Sequence, residues 1–162
     1  VTRTVGSEAQ DEAAEPTALS ASFETTLFIR DHCLCLSAQR AARALSRRFD
    51  EALRPAGITS GQFSLLTSLN RPVPPAIGSV AALLAMDRTT LTANLKPLER
   101  KGLVATQVDP KDRRGRLLRL TEAGLSTLQA ATPIWERTHR EIERLLEPDA
   151  PDRVRAGLAA LR

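Results

Sequence analysis

Between Arg88 and Arg119 the chain carries nine cationic side chains: Arg88, Lys96, Arg100, Lys101, Lys111, Arg113, Arg114, Arg116 and Arg119. Glu99, Asp109 and Asp112 are the carboxylates in that stretch. The local excess of six is larger than the +4 of the whole chain, so positive charge is concentrated here. The chemistry open to such a cluster is recognition of phosphate, by charge-assisted hydrogen bonds and release of counterions. Thr89, Thr90 and Ala93 lie near the first of these cations and are small. Small polar residues let a helix approach base edges, and a Thr can pair with a base or pack on a thymine methyl. Arg88 is long enough to reach a guanine edge.

Two elements must position these groups. At about 100° per residue, Leu91, Leu95 and Leu98 share a narrow arc of a helix over 88–101. Thr89, Ala93, Lys96 and Arg100 fall on the opposite side, flanked by Thr90 and Pro97. Asp87 suits the N-cap, accepting from the free backbone N–H of Thr89 or Thr90. Residues 104–108 and 117–120 read as two short strands. The hairpin tip over 109–116 then displays Lys111, Arg113, Arg114 and Arg116. Arg inserts well into a narrow, electronegative minor groove. Asp112 reads as a residue that orients a neighbouring Arg through a charge-assisted bond. Either element alone is an ordinary solvated surface. Together, in this order, they are a helix followed by a wing, the layout of a winged helix-turn-helix that grips duplex DNA.

Upstream, the box Thr59-Ser60-Gly61-Gln62 opens a helix through Phe63, Leu66 and Leu69. The stiff segment Arg71-Pro72-Val73-Pro74-Pro75 ends it, and a short helix follows over 77–84 with Val80, Leu83 and Leu84 inward. Leu34, Ala38, Ala41, Ala42, Leu45, Phe49 and Leu53 form one face of a longer helix that stops before Pro55. Phe23, Leu27, Phe28 and Ile29 precede it and are too apolar to stay exposed, so they are expected to bury against another element or another chain. Beyond the wing, Thr121 caps a helix to about Leu146, bent at Pro133, and a last helix carries Val154, Leu158 and Leu161. Residues 1–22 are acidic and lack apolar periodicity, and read as a disordered tail.

The 162 residues suit one compact domain, or a small domain with arms. Apolar residues make up 42% but aromatics only 3%, with no Tyr, so Ala and Leu must do the packing and helices are favoured. The fold class is mainly α with a small β-wing. No apolar run reaches about 18 residues, and no signal peptide opens the sequence. Cys33 and Cys35 do not form a secreted disulfide framework. These features imply a cytoplasmic protein with no membrane partner. No nucleophile–base–acid set, P-loop or dinucleotide fingerprint is present, so no enzyme is expected. No cofactor or metal is expected either.

The run MDRTTLTANLKPLERKGLV followed by DPKDRRGRLLRLTEAG strongly resembles the MarR family of bacterial transcription regulators, and LRPAGITSGQFSLLTSL is similar to the start of its DNA-binding lobe. The resemblance covers roughly residues 30–147. It implies that Asp112 and Arg114 take the wing positions, with Arg114 entering the minor groove. Arg88, Thr89, Thr90, Ala93 and Lys96 would lie on the recognition helix. It also implies an obligate homodimer on a pseudo-palindromic operator, acting as a repressor. The organisation that follows is a tail over 1–22, an N-terminal dimerisation region over 23–56, a winged helix-turn-helix lobe over 57–120 and C-terminal dimerisation helices over 121–162.

Two release signals are open. A small hydrophobic or aromatic effector would bind between dimerisation helices and lobe, with Phe49, Phe63, Leu66 and Trp135 as candidate lining residues. Leu34-Cys35-Leu36 resembles the sensing-cysteine neighbourhood of the organic-hydroperoxide branch of the family, which makes Cys35 a candidate redox residue. That branch holds its thiolate with tyrosines, which this chain lacks. Two positions apart on one helix, Cys33 and Cys35 would point about 160° from each other and could not easily bridge. A rival from another class is a winged-helix protein-interaction module whose basic wing docks an acidic partner. An RNA-binding role would need stacking aromatics that the basic face lacks.

Overall fold

A computed structural model describes residues 22–161 of the chain. The acidic tail lies outside the described residues except for Ser22. The chain divides into two compact units, with the boundary between Arg40 and Ala41.

In the first unit, Ser22 caps helix α1 (Phe23–His32), its hydroxyl accepting from the Thr25 N–H at 3.1 Å. The stretch ahead of the long helix is therefore helical itself. It buries none of its residues, and Phe23, Phe28 and Ile29 are exposed within the single chain. Cys33 breaks the path with an extended backbone, and α2 (Leu34–Leu53) begins immediately after it. The two cysteines therefore do not share one continuous helix, and the angular argument that separates them does not apply. Cys35 is exposed although its sequence neighbours are apolar, and Cys33 is half-buried.

The second unit holds the core. Of the apolar face expected on α2, Leu53 is fully buried and Phe49 packs against the core, while Leu45 is exposed. A 3-10 turn (Arg54–Ala56) follows, and the Ser60 N–H donates to Asp50 Oδ1 at 2.6 Å, tying the end of α2 to the next helix. That helix, α3 (Ser60–Leu69), starts with the expected reciprocal box. The Thr59 hydroxyl accepts from the Gln62 N–H, and the Gln62 side chain accepts from the Thr59 N–H, both at 3.2 Å. It buries Leu65, Leu66 and Leu69.

Helix α4 (Ile77–Leu83) differs from expectation at one position. Its inward side is Ile77, Val80, Ala81 and Leu84, an i, i+3, i+4, i+7 pattern. Leu83 lies off that stripe and is exposed. Ala85, at φ 50°, makes the turn into α5 (Arg88–Arg100). Leu91, Leu95 and Leu98 of α5 are buried as the spacing required. Each buried Leu contributes about 1.5–3 kcal/mol relative to exposure.

Strands β1 (Val104–Asp109) and β2 (Asp112–Leu120) pair antiparallel, from Val104 opposite Leu120 to Asp109 opposite Asp112. The hairpin root is held on the lobe. The Leu118 N–H donates to the Pro75 carbonyl at 2.9 Å, Ala76 bridges Leu117, and Leu118 is fully buried. Thr121 caps α6 (Glu122–Glu143), which contains Pro133 and buries Leu128, Ala131 and Thr138. The final helix, α7 (Ala150–Ala159), buries no residue and leaves Val154 and Leu158 exposed, and Leu161, which lies beyond its end, is exposed as well. Among the described residues, no helix is long and apolar enough to cross a membrane.

Candidate nucleic-acid interface

Helix α5 presents its outer face as its sequence demands. Thr89, Thr90, Ala93, Lys96 and Arg100 are all exposed, opposite the buried leucines. Its N-terminus is fixed by Asp87, whose Oδ1 accepts from the Thr90 N–H at 2.8 Å while Oδ2 accepts from the Thr90 hydroxyl at 2.7 Å. The Thr90 hydroxyl and N–H hold the Asp87 carboxyl below the usual carboxylate range. One consequence concerns base reading: the Thr90 proton is committed to the cap, which leaves its methyl and its oxygen lone pairs for a ligand.

Arg88 is exposed and lies over α4. A Cβ placed on Gly78 would stand 3.1 Å from its Nη2, 3.7 Å from Nε and 3.8 Å from Cζ. Lys101, by contrast, is exposed but tied to the lobe, its Nζ donating to the Gly57 carbonyl at 2.7 Å. One of the nine cations is therefore spent on the lobe itself. Thr92 and Asn94 are also exposed on α5 and were not singled out by spacing. Thr92 donates back to the Arg88 carbonyl at 2.7 Å, and the Asn94 amide reaches Met86 Sδ at 3.6 Å.

The wing is tighter than an eight-residue tip. After Val108 opposite Arg116 the register shifts, leaving residues 113–115 without partners on β1, and pairing resumes at Asp109 and Asp112, so Pro110 and Lys111 form the turn. Two carboxylates make this possible by satisfying the backbone N–H groups there. Asp109 Oδ1 accepts from the Lys111 N–H and Asp112 Oδ1 from the Arg114 N–H, each at 2.9 Å. Asp112 thus acts on the backbone of Arg114 rather than on a guanidinium. Arg113, Arg114 and Arg116 lie on β2 and are exposed. Regular alternation holds from Arg116 onward and puts Arg116 on the side of Leu118. Arg116 folds back, donating from Nη1 to the Gly115 carbonyl at 3.0 Å and the Arg113 carbonyl at 3.2 Å. Arg114 has its backbone held by Asp112 and, among the described residues, its guanidinium makes no hydrogen bond or ion pair.

A sequence profile of the MarR family matches residues 58–115, which include the box, helices α3, α4 and α5, strand β1 and the wing turn. The multiple antibiotic resistance protein MarR of Escherichia coli is 31% identical over 104 residues, 64% of this chain and 72% of that protein. The chain belongs to the MarR family. The transcriptional activatory protein BadR of Rhodopseudomonas palustris is 33% identical over 88 residues, 52% of this chain, and the match spans 50% of BadR's length. Among solved structures, the Mycobacterium tuberculosis transcriptional regulator MosR in complex with DNA superposes with a TM-score of 0.74. It is 38% identical, with 80% of this chain and 93% of that chain covered. The winged helix-turn-helix fold of the family is thus the fold of this chain.

A second feature of this MarR-family lobe is a cleft of about 350 Å³ between α3 and α6. Phe63, Thr67 and Asn70 line one wall, and Leu125, Leu128, Gln129, Thr132 and Trp135 the other. Phe63 and Trp135 face each other with ring centroids 6.1 Å apart and planes 17° from parallel. Behind Trp135 the ring of His139 stacks at 4.7 Å, and His139 Nε2 stands 3.2 Å from Glu143. Phe49 lines an adjoining cleft of about 280 Å³ with Phe63 and Trp135. Leu66 is fully buried in the core and lines neither.

Proposed function

We propose that this protein is a homodimeric, sequence-specific duplex-DNA-binding transcription regulator, acting as a repressor in the cytoplasm and carrying no enzymatic activity. The observation that carries the reading is the pairing of one exposed helix face, Thr89 to Arg100, with a wing on which Arg114 is exposed and its backbone held by Asp112. The helix face fits a major groove and the wing arginine fits the adjacent minor groove. That MosR, 38% identical, was solved in complex with DNA supports DNA binding by this chain. Exposed apolar residues on α1 and α7 supply surface for a second copy, with 23–56 and 121–162 as the dimerisation regions. Two recognition helices would then enter successive major grooves about 10 bp apart on a pseudo-palindrome.

The test is fluorescence anisotropy on duplex DNA across a salt series. A steep loss of affinity with salt, and a sequence preference that survives it, is the expected result. A slope near zero would favour the rival in which the basic wing docks an acidic protein.

For release, the α3–α6 cleft supports a small aromatic effector, with Phe63 and Trp135 as its ring-contacting walls. A second reading is favoured by one observation, the exposure of Cys35. In it, peroxide oxidises the Cys35 thiol and weakens DNA binding. Peroxide treatment of wild type and Cys35→Ser decides: if both respond alike, or neither does, the thiol reading is lost.

A further inference from the structure

Arg88 is the most awkwardly placed cation of the interface. It is the first residue of α5, and Asp87 beside it is already bonded to Thr90. Among the described residues, Arg88 makes no side-chain hydrogen bond or ion pair. A free Arg in that position would sample many rotamers, and ordering it on binding would cost entropy. Its guanidinium is nonetheless placed. Nη2, Nε and Cζ all lie within 4 Å of where a Gly78 side chain would begin, so the flat group rests on the bare backbone of α4.

The approach is this close because residue 78 has no Cβ. At 3.1 Å from Nη2, an alanine methyl would be tighter than an ordinary contact, and the guanidinium would have to give by a few tenths of an ångström. The direction matters as well as the restraint. In a helix-turn-helix the first helix crosses the sugar-phosphate backbone while the second enters the groove. A guanidinium lying across α4 is therefore aimed at the flank of the groove, not down into its floor. Resting on a glycine uses none of its five N–H donors, so all remain for oxygen atoms of a ligand.

We infer that Gly78 is a positioning residue that holds Arg88 against α4 as a contact to a DNA phosphate rather than to a base edge. The inference rests on the duplex-DNA reading above. It revises the expectation that Arg88 reads guanine, and it assigns position 78 a role in affinity that its residue type alone does not suggest.

The experiment is a double-mutant cycle on Gly78→Ala and Arg88→Ala, read by anisotropy on operator and random duplexes across a salt series. Arg88→Ala is expected to weaken both duplexes by the same factor and to lower the salt slope by about one. Gly78→Ala is expected to reproduce that loss in part, and to add nothing further in the Arg88→Ala background. Ala is a better helix former than Gly, so the variant should melt no earlier than wild type, which separates displacement of Arg88 from damage to the fold. Additive losses, or an Arg88→Ala loss confined to one base pair with an unchanged slope, would overturn the inference while leaving DNA binding intact. Absence of salt-dependent binding by the wild type would instead overturn the underlying reading.

Discussion

Gly124 stands so close to Leu103 that a Cβ on it would lie 2.0 Å from the Leu103 carbonyl oxygen. The first turn of α6 is thus seated directly on the backbone that leads from α5 into the wing. Thr121 completes the joint. Its N–H donates to Leu103 at 3.1 Å, its hydroxyl donates to Gly102 at 2.6 Å, and the same oxygen accepts from the Gly124 N–H at 3.0 Å. Through these bonds α6, the end of α5 and the root of the wing are one rigid piece.

Gly124→Ala is therefore expected to destabilise the lobe by at least about 1–3 kcal/mol, because the obstructing atoms are backbone and cannot rotate away. The urea midpoint measures it. An unchanged midpoint would mean that α6 can slide off Leu103 freely, against the geometry.

The outer face of α5 separates two kinds of contact. Lys96→Ala is expected to weaken binding to operator and random DNA alike and to reduce the salt slope by about one. Thr90→Ser keeps the hydroxyl that Asp87 uses and removes the methyl. It should leave stability unchanged while relaxing preference at one base pair by about tenfold. Equal losses on both duplexes for both variants would remove the base-reading role from Thr90.

Asp87 gives the interface an acid limit. Its carboxyl is held below the usual range, first by the Thr90 hydroxyl and then by the Thr90 N–H. A depressed carboxyl contributes stability above its unfolded pKa, about 3.9, and loses that contribution as pH falls through the folded value. Asp87→Asn keeps an acceptor at the cap but removes the titration. Its melting temperature should fall less steeply below about pH 4 than that of wild type. Parallel acid limbs would show that the cap carboxylate does not contribute.

Much of this was legible in the residues because local patterns and tertiary structure agree. The i, i+4, i+7 leucines of α5, the Thr59–Gln62 box and the Asp87 cap each follow from short-range chemistry. The wing boundary was not legible, because the two aspartates that let pairing continue to Asp112 look like charges in a loop. Leu83 lies outside the expected inward face because apolar sequence neighbours say nothing about which side of a helix meets the core. Gly78 was invisible, since only coordinates show an arginine ten residues later lying across it.

The effector cleft separates its wall from the core behind it. Leu66 is fully buried, so Leu66→Ala is expected to cost about 2–5 kcal/mol of stability as a cavity mutation. Phe63 is half-buried on the cleft wall, so Phe63→Ala should act on ligand binding more than on stability. Trp135 is the only tryptophan of the chain and reports directly on the site by its emission. Among the described residues, no charged side chain lines this cleft. Burying a carboxylate without a cation partner is costly, so benzamide should quench Trp135 at lower concentration than benzoate. Phe63→Ala should abolish that difference. Tighter quenching by benzoate, or quenching that survives Phe63→Ala unchanged, would place the ligand elsewhere.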